Sequence, residues 1–591
     1  MTKYTRWIRG RQAVTEEDPY ATIEDGTATF WADGVADAIE ARNPEEPIVI
    51  KGGVSPSGVP HIGHLNEIVR GYVVAEVLRE RDHEVRQVFT SDDRDRLRKI
   101  PRRLADLEWD IVGLGEVDAG ALGRNLGKPY TSIPDPFGCC DSYGAHFTTL
   151  LARSAELLGV PIDVVSNTEL YADGKFEKLT RHVLRNQDRA REVLKDYQAS
   201  VDDEYVPFQV ECASCGILTD GITDVEPADG TVAYECRDVT VGEETIEGCG
   251  HEGEVSLREG KLPWRFEWPA QWEVLGVDFE PFGKDHAEGS WPSGLDIARN
   301  VFEVEPPVPM VYEWFTLNGE PFSSSEGNVV LVSDVLEMLE PEVLRYFFTL
   351  DPSKARDFDV GRLDQLVDDF DRFERVYYGD ADADETERAV AEAAYPLCVL
   401  PADVPVELDG IGDPAAFDAN DPAHREARRA FLDETFADRV RFPYTFAAVL
   451  GMFPDREVRE AHARKQGHLP ADAPAWVVED AFDRVALARE WAHRTGNEYD
   501  YTVAQALPDV AFDADTAAGL DDLADFVAEG HDGEAIQGAI YETAKRHGVD
   551  VGDFFAAGYR LFFDAEEGPQ LGPFLAKLER AFVVDRLRRE A

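Results

Sequence analysis

The sequence predicts an α/β protein in which a parallel sheet, interrupted by a small inserted module, precedes an all-helical C-terminal domain. Three observations predict this fold class. Two apolar, β-branched stretches, the first near residue 50, flank a helical stretch. A Cys/Gly/Asp-rich segment begins near residue 211. From residue 334 almost to the end, apolar residues recur at i, i+3 and i+4, which is typical of helices packed on a core.

The sheet begins with a βαβ unit. Residues 47–54 are apolar and β-branched between Pro and Gly, which predicts a buried strand, and residues 84–90 predict the next one. Residues 35–42 and 65–81 have the apolar spacing of helices, and a Gly/Pro loop in 55–63 precedes the second helix. Strands joined through a helix run parallel, so we expect a ligand crevice at their carboxyl ends.

The predicted insertion and helical region complete the chain. A charged stretch in residues 176–197 predicts one helical piece that leads into the Cys/Gly/Asp-rich segment 211–254, and residues 379–413 predict a loop or an acidic insertion. Helices are further predicted in residues 363–378, 424–440, 476–495, 535–547 and 573–588. The predicted division is an N-terminal extension (1–47), the first half of the sheet domain (48–165), the insertion (166–262), the second half of the sheet domain (263–335), a connector (336–360) and the helical domain (361–591).

The charge of the chain is unusual. Its 591 residues include 59 basic and 117 acidic side chains, for a net charge of −58. Disorder is excluded because 43% of the residues are hydrophobic and 10% are aromatic. A folded surface this acidic suits high salt, since the Debye length falls to about 3 Å at 1 M and self-repulsion is screened. We therefore expect a halophilic protein; the alternative is an ordinary acidic cytosolic protein.

Membrane and secretory classes are not expected. No apolar stretch approaches the ~20 residues that span a bilayer, and residues 1–12 lack the apolar run of a signal peptide. Seven cysteines in 591 residues do not make a disulfide scaffold. The sequence thus predicts a cytoplasmic protein with reduced thiols and no membrane partner.

Two histidines stand at the predicted strand-to-helix turn, in the order Pro-His-Ile-Gly-His over residues 60–64. A helix N-terminus attracts phosphate, and the glycine between the histidines lets a flat or charged group approach the backbone. The imidazoles of His61 and His64 can hydrogen-bond phosphate oxygens. The alternative is a polar helix cap with two surface histidines.

A hydroxyl-rich segment follows far downstream. Residues 321–328 read Pro-Phe-Ser-Ser-Ser-Glu-Gly-Asn, after a Gly-Glu turn. Such a run suits a mobile loop whose hydroxyls donate hydrogen bonds to phosphate. Taken alone, it is better explained as a serine-rich surface turn.

Cysteines in the insertion have the spacing of a zinc site. Cys212 and Cys215 form a CxxC pair, and Cys236 follows, with either Cys249 or His251 as the fourth ligand. Four such soft ligands bind structural zinc as a tetrahedron. The alternative is a set of free thiols.

A second cluster with metal-ligand chemistry comprises Asp135, Cys139, Cys140 and His146. An aspartate, two thiolates and an imidazole could also form a zinc site. Adjacent cysteines do not easily reach one ion together, so reduced core cysteines are the alternative.

Basic residues are concentrated in few places, the densest being residues 94–103 (Arg-Asp-Arg-Leu-Arg-Lys-Ile-Pro-Arg-Arg). This segment follows the second strand of the βαβ unit and could contact a nucleic acid at the rim of the crevice. Residues 181–191 and 586–590 are weaker candidates, and solvated helix faces with acidic partners are the preferred explanation there.

Together, the motif at 61–64 and the serine-rich run resemble the two signatures of class I aminoacyl-tRNA synthetases, His-Ile-Gly-His in a Rossmann fold and Lys-Met-Ser-Lys-Ser downstream. Residues 133–147 and 268–286 extend the resemblance to the class I lysyl-tRNA synthetases of archaea and some bacteria. Further stretches similar to that family are residues 323–328, 465–468, 560–563 and 574–588. The resemblance implies a Rossmann-type catalytic domain, an anticodon-binding helical domain, and ATP-dependent attachment of L-lysine to tRNA(Lys) through lysyl-adenylate, with Mg²⁺ and Zn²⁺.

The resemblance also implies site residues. The expected catalytic residues are His61, Gly63, His64, Ser323 and Ser325. The expected ATP-binding residues are Pro56, Ser57, Gly58, His61, His64, Phe322, Ser323, Ser324 and Ser325. The expected amino-acid pocket contains Gly53, Ser55, Trp272, His286 and Tyr312. Because the lysine ammonium needs anionic or aromatic neighbours, further candidates are Asp92, Asp93, Asp285 and Glu313, with Trp268 and Trp314.

One departure from the family is clear. Its downstream loop carries lysines, whereas this chain has Pro321 and Glu326, with Ser324 in the place of the second lysine. We expect the missing positive charge to come from Mg²⁺, Lys284 or Arg299.

Three alternatives stay open. The first is a class I synthetase for glutamate, cysteine or arginine. The second is a nucleotidyltransferase without an RNA substrate, which the large helical domain disfavours. The third is a non-catalytic tRNA-binding paralogue, which the altered serine loop favours and the histidine pair opposes.

Overall fold

The computed structural model describes residues 18–24, 28–160, 162–241, 244–322, 329–400 and 417–590. Its strands are β1 (Ile48–Val54), β2 (Val85–Ser91), β3 (Arg103–Ala105), β4 (Ile111–Gly113), β5 (Asp163–Ser166), β6 (Gln209–Glu211), β7 (Leu218–Thr219), β8 (Ile222–Glu226), β9 (Thr231–Glu235), β10 (Val239–Val241), β11 (Glu244–Ile246), β12 (Glu252–Ser256), β13 (Gly260–Lys261), β14 (Phe279–Gly283), β15 (Val308–Tyr312), β16 (Phe315–Leu317), β17 (Glu320–Pro321) and β18 (Arg356–Phe358).

The α-helices surround these strands and fill the C-terminal region. They are α1 (Ala21–Glu24), α2 (Trp31–Glu40), α3 (Ile62–Glu80), α4 (Ala119–Gly123), α5 (Tyr143–Leu157), α6 (Asn167–Ala172), α7 (Glu177–Arg185), α8 (Gln187–Leu194), α9 (Trp264–Leu275), α10 (Lys284–Glu288), α11 (Trp291–Ile297), α12 (Val332–Leu336), α13 (Pro341–Thr349), α14 (Leu363–Tyr378), α15 (Glu385–Cys398), α16 (Pro422–Glu434), α17 (Tyr444–Gly451), α18 (Arg456–Lys465), α19 (Ala475–Thr495), α20 (Ala514–Ala528), α21 (Gly533–Arg546), α22 (Val551–Phe563), α23 (Leu571–Lys577) and α24 (Arg580–Leu587).

The central sheet is five-stranded and parallel, in the order β15-β14-β1-β2-β5. The predicted βαβ unit is confirmed as β1, α3 and β2. Ile48 and Ile50 of β1 pack in the core that contains α3, whereas Val49 packs on the other face with the α9 tryptophans. Both faces are covered, which explains why the strand is apolar throughout. The carboxyl ends of β1, β2, β14 and β15 therefore meet at one edge, as expected.

The insertion between β5 and β14 packs around a separate hydrophobic cluster, to which Ile297, Val301 and Phe302, after β14, also contribute. It contains two three-stranded antiparallel sheets, β12-β9-β8 and β13-β6-β7. The stretch predicted to be helical over 176–197 is confirmed as helical, but it forms two helices, α7 and α8, that meet at Asn186. The amide of Asn186 donates to the His182 carbonyl at 2.9 Å, the local side-chain bonding that disfavours a helix interior.

The C-terminal region is helical, and three predictions about it change. Part of the predicted loop 379–413 is helix α15, which Asp384 caps and whose Tyr395 donates to buried Glu374 at 2.6 Å; residues 401–416 lie outside the described ranges. The helix predicted over 573–588 is two helices, because Leu578 is extended and Glu579 caps α24. The helix predicted over 424–440 is shorter than expected, because α16 ends at Glu434.

Buried ion pairs join α13 and α14 to later segments of the helical region. Arg439 contacts Glu342 at 2.7 Å and Arg441 contacts Glu374 at 2.9 Å, and all four side chains are less than 10% exposed. Nearby, Arg484 pairs with Asp371 at 2.7 Å. Arginine forks that satisfy buried carboxylates in this way fix the geometry between the elements that carry them.

Within the described ranges, a bilayer-spanning helix is absent: none combines the needed length with the needed apolar character.

Candidate active site

His61 and His64 cap the N-terminus of α3. Nδ1 of His61 accepts a hydrogen bond from the Gly63 N–H at 3.0 Å, and Nδ1 of His64 accepts one from the His61 N–H at 3.1 Å. Burial lowers the pKa of His64 to about 4 and, with help from His64, lowers the pKa of His61 well below its usual range. Both rings are thus neutral at pH 7 and carry their proton on Nε2, where it can be donated to a ligand.

The helix-cap alternative is therefore correct for the Nδ1 atoms, although neither ring is a simple surface group. The rings lie 4.1 Å apart, between centroids, at the turn that follows β1. Gly63 is required because a Cβ there would lie 2.6 Å from Cε1 of His61. The cap thus orients the two rings and leaves their Nε2–H groups able to donate to a ligand.

The downstream segment reaches the first motif. Phe322 stacks on His61 with ring centroids 4.9 Å apart, and Phe315 packs edge-on against Phe322 at 5.0 Å. The predictions for Ser323, Ser324 and Ser325, and for Glu326, lie outside the described residues. The start of the serine-rich segment therefore lies on the histidine motif.

A cavity of about 470 Å³ opens at the carboxyl ends of β1 and β2. Its lining residues are Gly53, Val54, Ser55, Ser57, Asp92, Asp95, Arg98, Lys99, Pro101, Tyr130, Trp264 and His286. The predicted residues Gly53, Ser55, Ser57 and His286 are thus brought together. Pro56 and Gly58 adjoin Ser57 in the same loop, which Tyr143 holds by donating to the Ser57 carbonyl at 2.8 Å.

Trp272 does not line this cavity. It is 2% exposed, and its Nε1 donates to Glu280 at 2.6 Å. The same carboxylate accepts hydrogen bonds from Trp268 at 2.9 Å and from buried Lys51 at 2.6 Å. Glu280 thus fixes both indoles behind the site, and Trp264, one turn earlier on α9, is the tryptophan that meets the cavity.

Glu67 is a site residue that the sequence analysis missed. Its carboxylate accepts hydrogen bonds from the Gly53 N–H at 2.8 Å and from the Tyr312 hydroxyl at 3.3 Å, so it joins two predicted pocket residues. Burial and the nearby charge of Glu280 raise the pKa of Glu67 to about 8, against the opposing effect of Lys51. Its spacing could have identified it from the sequence, since Glu67 lies one helical turn after His64.

The four carboxylates suggested for the ammonium have different roles. Asp92 lines the cavity and accepts hydrogen bonds from Asn167 and Gln271, and burial with the charges of Asp95 and Glu267 raises its pKa to about 7. Asp93 instead holds the start of α6 through Thr168. Glu313 pairs with Lys284 at 2.7 Å, Asp285 lies in the first turn of α10, and Trp314 is 58% exposed.

The four cysteines of the insertion converge. The Sγ atoms of Cys212 and Cys249 are 3.6 Å apart, as are those of Cys215 and Cys236, and all four lie within 4.8 Å of one another. Sulphur atoms that share a tetrahedral zinc at 2.3 Å are about 3.8 Å apart. Cys249 is the fourth member of this group. Of the two alternatives for that position, His251 lies with its ring outside the group, and its carbonyl accepts the Cys236 N–H.

The second cluster also converges, in spite of its adjacent cysteines. Cys139 Sγ lies 3.9 Å from Cys140 Sγ and 3.3 Å from His146 Nδ1, and Asp135 completes the group within 4.8 Å. Nε2 of His146 is hydrogen-bonded to the Ala105 carbonyl at 2.9 Å. That bond leaves Nδ1 for a metal, the arrangement usual for ligating histidines.

The basic segments differ in what they offer. Arg94 donates to the Arg258 carbonyl and Arg96 pairs with Asp220, so both are held by the insertion, whereas Arg98 and Lys99 line the cavity. In residues 181–191 and 586–590 the arginines are held by neighbouring acids or carbonyls. Examples are Arg181 with Glu177, Arg191 with Asp188, Arg586 with the Leu561 carbonyl, and Arg588 with Asp525.

A family model described as tRNA synthetases class I (K) matches residues 29–397, which span the parallel sheet and the insertion. The fold and the site thus define a class I tRNA synthetase. A lysine–tRNA ligase of Haloarcula marismortui is 63% identical over 97% of this chain and 99% of its own length. Those of Halobacterium salinarum and Pyrococcus horikoshii are 61% and 32% identical, over 97% and 95% of this chain and 99% of each relative. The chain belongs to the lysine-type family of class I tRNA synthetases.

Proposed function

We propose that this chain attaches L-lysine to tRNA(Lys) in an ATP-dependent reaction through lysyl-adenylate. The observation that carries the proposal is the cavity at the carboxyl ends of β1 and β2, next to two neutral histidines that cap α3. The names of the relatives, and the match over almost the whole length of each, support lysine as the amino acid and tRNA as the acceptor. The acidic composition and two relatives from halophilic archaea support a halophilic host.

In the first step, a carboxylate oxygen of lysine attacks the α-phosphorus of ATP, and the bond to the β-phosphate oxygen breaks. Catalysis of such a transfer is mostly positioning and charge stabilisation. We assign His61 and His64 as Nε2–H donors to the phosphate oxygens, and Gly63 as the point where adenine approaches the backbone. Ser323 and Ser325 are proposed to donate as their loop closes.

In the second step, the 2′-hydroxyl of the terminal adenosine of tRNA attacks the lysyl carbonyl and AMP leaves. The helical region 361–591 is proposed to bind the anticodon. The predicted domain boundaries remain part of this proposal, and the cytoplasm is the proposed compartment.

Lysine selection is proposed to rest on Glu67 and Asp92. Their raised pKa values mean that each empty-site carboxyl is partly protonated near neutral pH. An entering ammonium would favour the ionised forms and pair with them. Glutamate would need a cation facing its side chain, whereas the two carboxyls, with Tyr312 and Trp264, suit the lysine ammonium.

The metal proposals follow from donor chemistry. Four thiolates in the insertion and an Asp/Cys/Cys/His set beside α5 fit structural Zn²⁺, which would cross-link the loops that carry them. Both metal-ligand groups found among the described residues contain sulphur, while Mg²⁺ prefers oxygen ligands. We therefore propose that Mg²⁺ enters bound to ATP, as part of the substrate.

The test is ATP–pyrophosphate exchange in molar KCl with each of the twenty amino acids, with and without tRNA. We expect exchange with lysine alone, abolished by His61→Ala while tRNA binding persists. Exchange with another amino acid would overturn the lysine proposal and keep the class. Absence of exchange under every condition would support the non-catalytic paralogue.

A further inference from the structure

The positive charge needed at the triphosphate has no source in the serine-rich loop. Residues 321–328 contain Glu326 and neither lysine nor arginine. The two substitutes expected from the sequence are engaged elsewhere: Lys284 pairs with Glu313 at 2.7 Å and Arg299 with Glu305 at 2.9 Å. A departing pyrophosphate still needs cationic hydrogen-bond donors, since its negative charge grows as the bond breaks.

Arg98 and Lys99 are the arginine and lysine that line the cavity. They share it with Ser55 and Ser57, of the loop that leads from β1 to His61. Phosphates bound beside that loop would therefore meet these two cations within one cavity. The guanidinium fork of Arg98 suits the paired oxygens of a phosphate group, and the Lys99 ammonium adds a point charge.

The Arg98 guanidinium is not held in a close ion pair by its acidic neighbour, Asp95. Its nearest carboxylate, that of Asp95, is 3.9 Å away, and the Arg98 side chain is 65% exposed. Asp95 is itself neutralised by buried Lys261, which contacts it directly and also pairs with Glu267 at 2.8 Å. Arg98 is thus able to contact a ligand without breaking a buried ion pair.

The backbone before Arg98 is held rigidly. Leu97 is 1% exposed; its N–H donates to the Lys128 carbonyl at 2.8 Å, and its carbonyl accepts the Gly127 N–H at 2.9 Å. Arg96 adds an isolated β-bridge to Pro129. A side chain mounted on a fixed backbone loses less entropy when it binds, which suits a charge-stabilising group.

We propose that Arg98 and Lys99 bind the triphosphate of ATP and neutralise the departing pyrophosphate. The proposal rests on the proposed function and names two further residues of the same site. The balance of the step is unchanged: a lysine carboxylate oxygen forms a bond to the α-phosphorus, and the electron pair of the broken P–O bond leaves with pyrophosphate. The two cations transfer no proton and act by charge alone.

The test compares Arg98→Ala, Arg98→Lys and Lys99→Ala with the control Arg124→Ala, since the Arg124 side chain is 73% exposed and lies outside the cavity lining. Binding of inorganic pyrophosphate is measured by calorimetry in molar KCl, and kcat/KM for ATP by exchange with lysine. We expect each alanine variant to lose about 10- to 100-fold in both, as for charge-assisted hydrogen bonds. Arg98→Lys should lose less, and the control should stay within about twofold.

Circular dichroism checks that each variant is folded. Unchanged pyrophosphate binding and an unchanged kcat/KM for ATP would overturn the proposal. So would an effect confined to the KM for tRNA, which would assign the pair to a phosphodiester of the tRNA 3′ end. If the unaltered protein showed no exchange with lysine, the proposed function would fail. Calorimetry with pyrophosphate would still decide whether Arg98 and Lys99 bind phosphate.

Discussion

The ring of Phe322 lies stacked on the imidazole of His61, with centroids 4.9 Å apart and an interplanar angle of 17°. This contact joins the start of the serine-rich segment to the first turn of α3. It is supported from behind by Phe315, the first residue of β16. The position of Phe322 is therefore coupled to the orientation of His61, a proposed catalytic residue.

Phe322→Ala should weaken ATP use. Loss of an aromatic pair worth about 0.5–1.5 kcal/mol predicts a fall of about 2- to 10-fold in kcat/KM for ATP. Phe322→Tyr keeps the ring and serves as the control. The measurement is pyrophosphate exchange at varied ATP, and equal values for Ala and Tyr would show that the stack has no role in ATP use.

The histidine pair predicts a pH dependence. Because the pKa of His64 is lowered to about 4, the ring stays neutral until the solution is far more acidic than an ordinary histidine tolerates. Its contribution to stability is complete above about pH 6.5 and falls as the pH drops from there towards 4, where the unfolded state binds the extra proton.

The measurement is unfolding by denaturant between pH 4 and pH 8 in molar KCl. The chain with His64→Gln should lose less stability over that interval than the unaltered chain. NMR titration of the ring gives a direct check, and a midpoint near 6.5 would contradict the prediction.

Glu67 predicts proton release on lysine binding. With a pKa of about 8 in the empty site, the carboxyl is mostly protonated at pH 7, and an ammonium partner needs it ionised. Lysine affinity should therefore rise as the pH approaches 8 and level off above it. Calorimetry in two buffers of different ionisation enthalpy measures the released proton.

Glu67→Gln is the matched control for that release. It keeps the acceptor for the Gly53 N–H but cannot ionise, so lysine should bind more weakly and without proton release. Proton release that survives in this variant would assign the titration to another group, Asp92 being the next candidate.

Metal content separates the two clusters. We expect two zinc ions per chain, and one after Cys249→Ser or after His146→Ala, because each change removes a ligand from one group. His251→Ala should keep both ions. Cys398→Ser is a control, since Cys398 is buried away from either cluster. Metal is counted by atomic absorption after dialysis, and loss of zinc from His251→Ala would return that residue to the ligand set.

The sheet was predictable from the sequence because its signals are local. Ile48–Val54 is buried on both faces, so an unbroken apolar run predicts it without knowledge of its neighbours. The errors arise where one residue decides a boundary. Asn186 divides α7 from α8, and Leu578 divides α23 from α24, although the apolar spacing continues through both positions.

The site was only partly predictable, since it depends on how elements pack. Trp264, Trp268 and Trp272 lie on one face of α9, and their spacing does not reveal which of them faces a cavity. The answer depends on Glu280 of β14, which holds the later two through hydrogen bonds. Glu67 was missed for the same reason, because its partners Gly53 and Tyr312 belong to two different strands.

The buried ion pairs of Arg439 and Arg441 should respond to salt differently from the acidic surface of this protein. Arg439 and Arg441 meet Glu342 and Glu374 where dissolved ions do not penetrate, so KCl leaves these attractions nearly unchanged. The excess of acidic groups on the surface, by contrast, repels itself whenever salt is removed. When the salt is diluted, the outer helices should therefore unfold before the contacts around these buried ion pairs break. The first species to form would be a partly unfolded molecule in which the sheet domain and the start of the helical region remain attached.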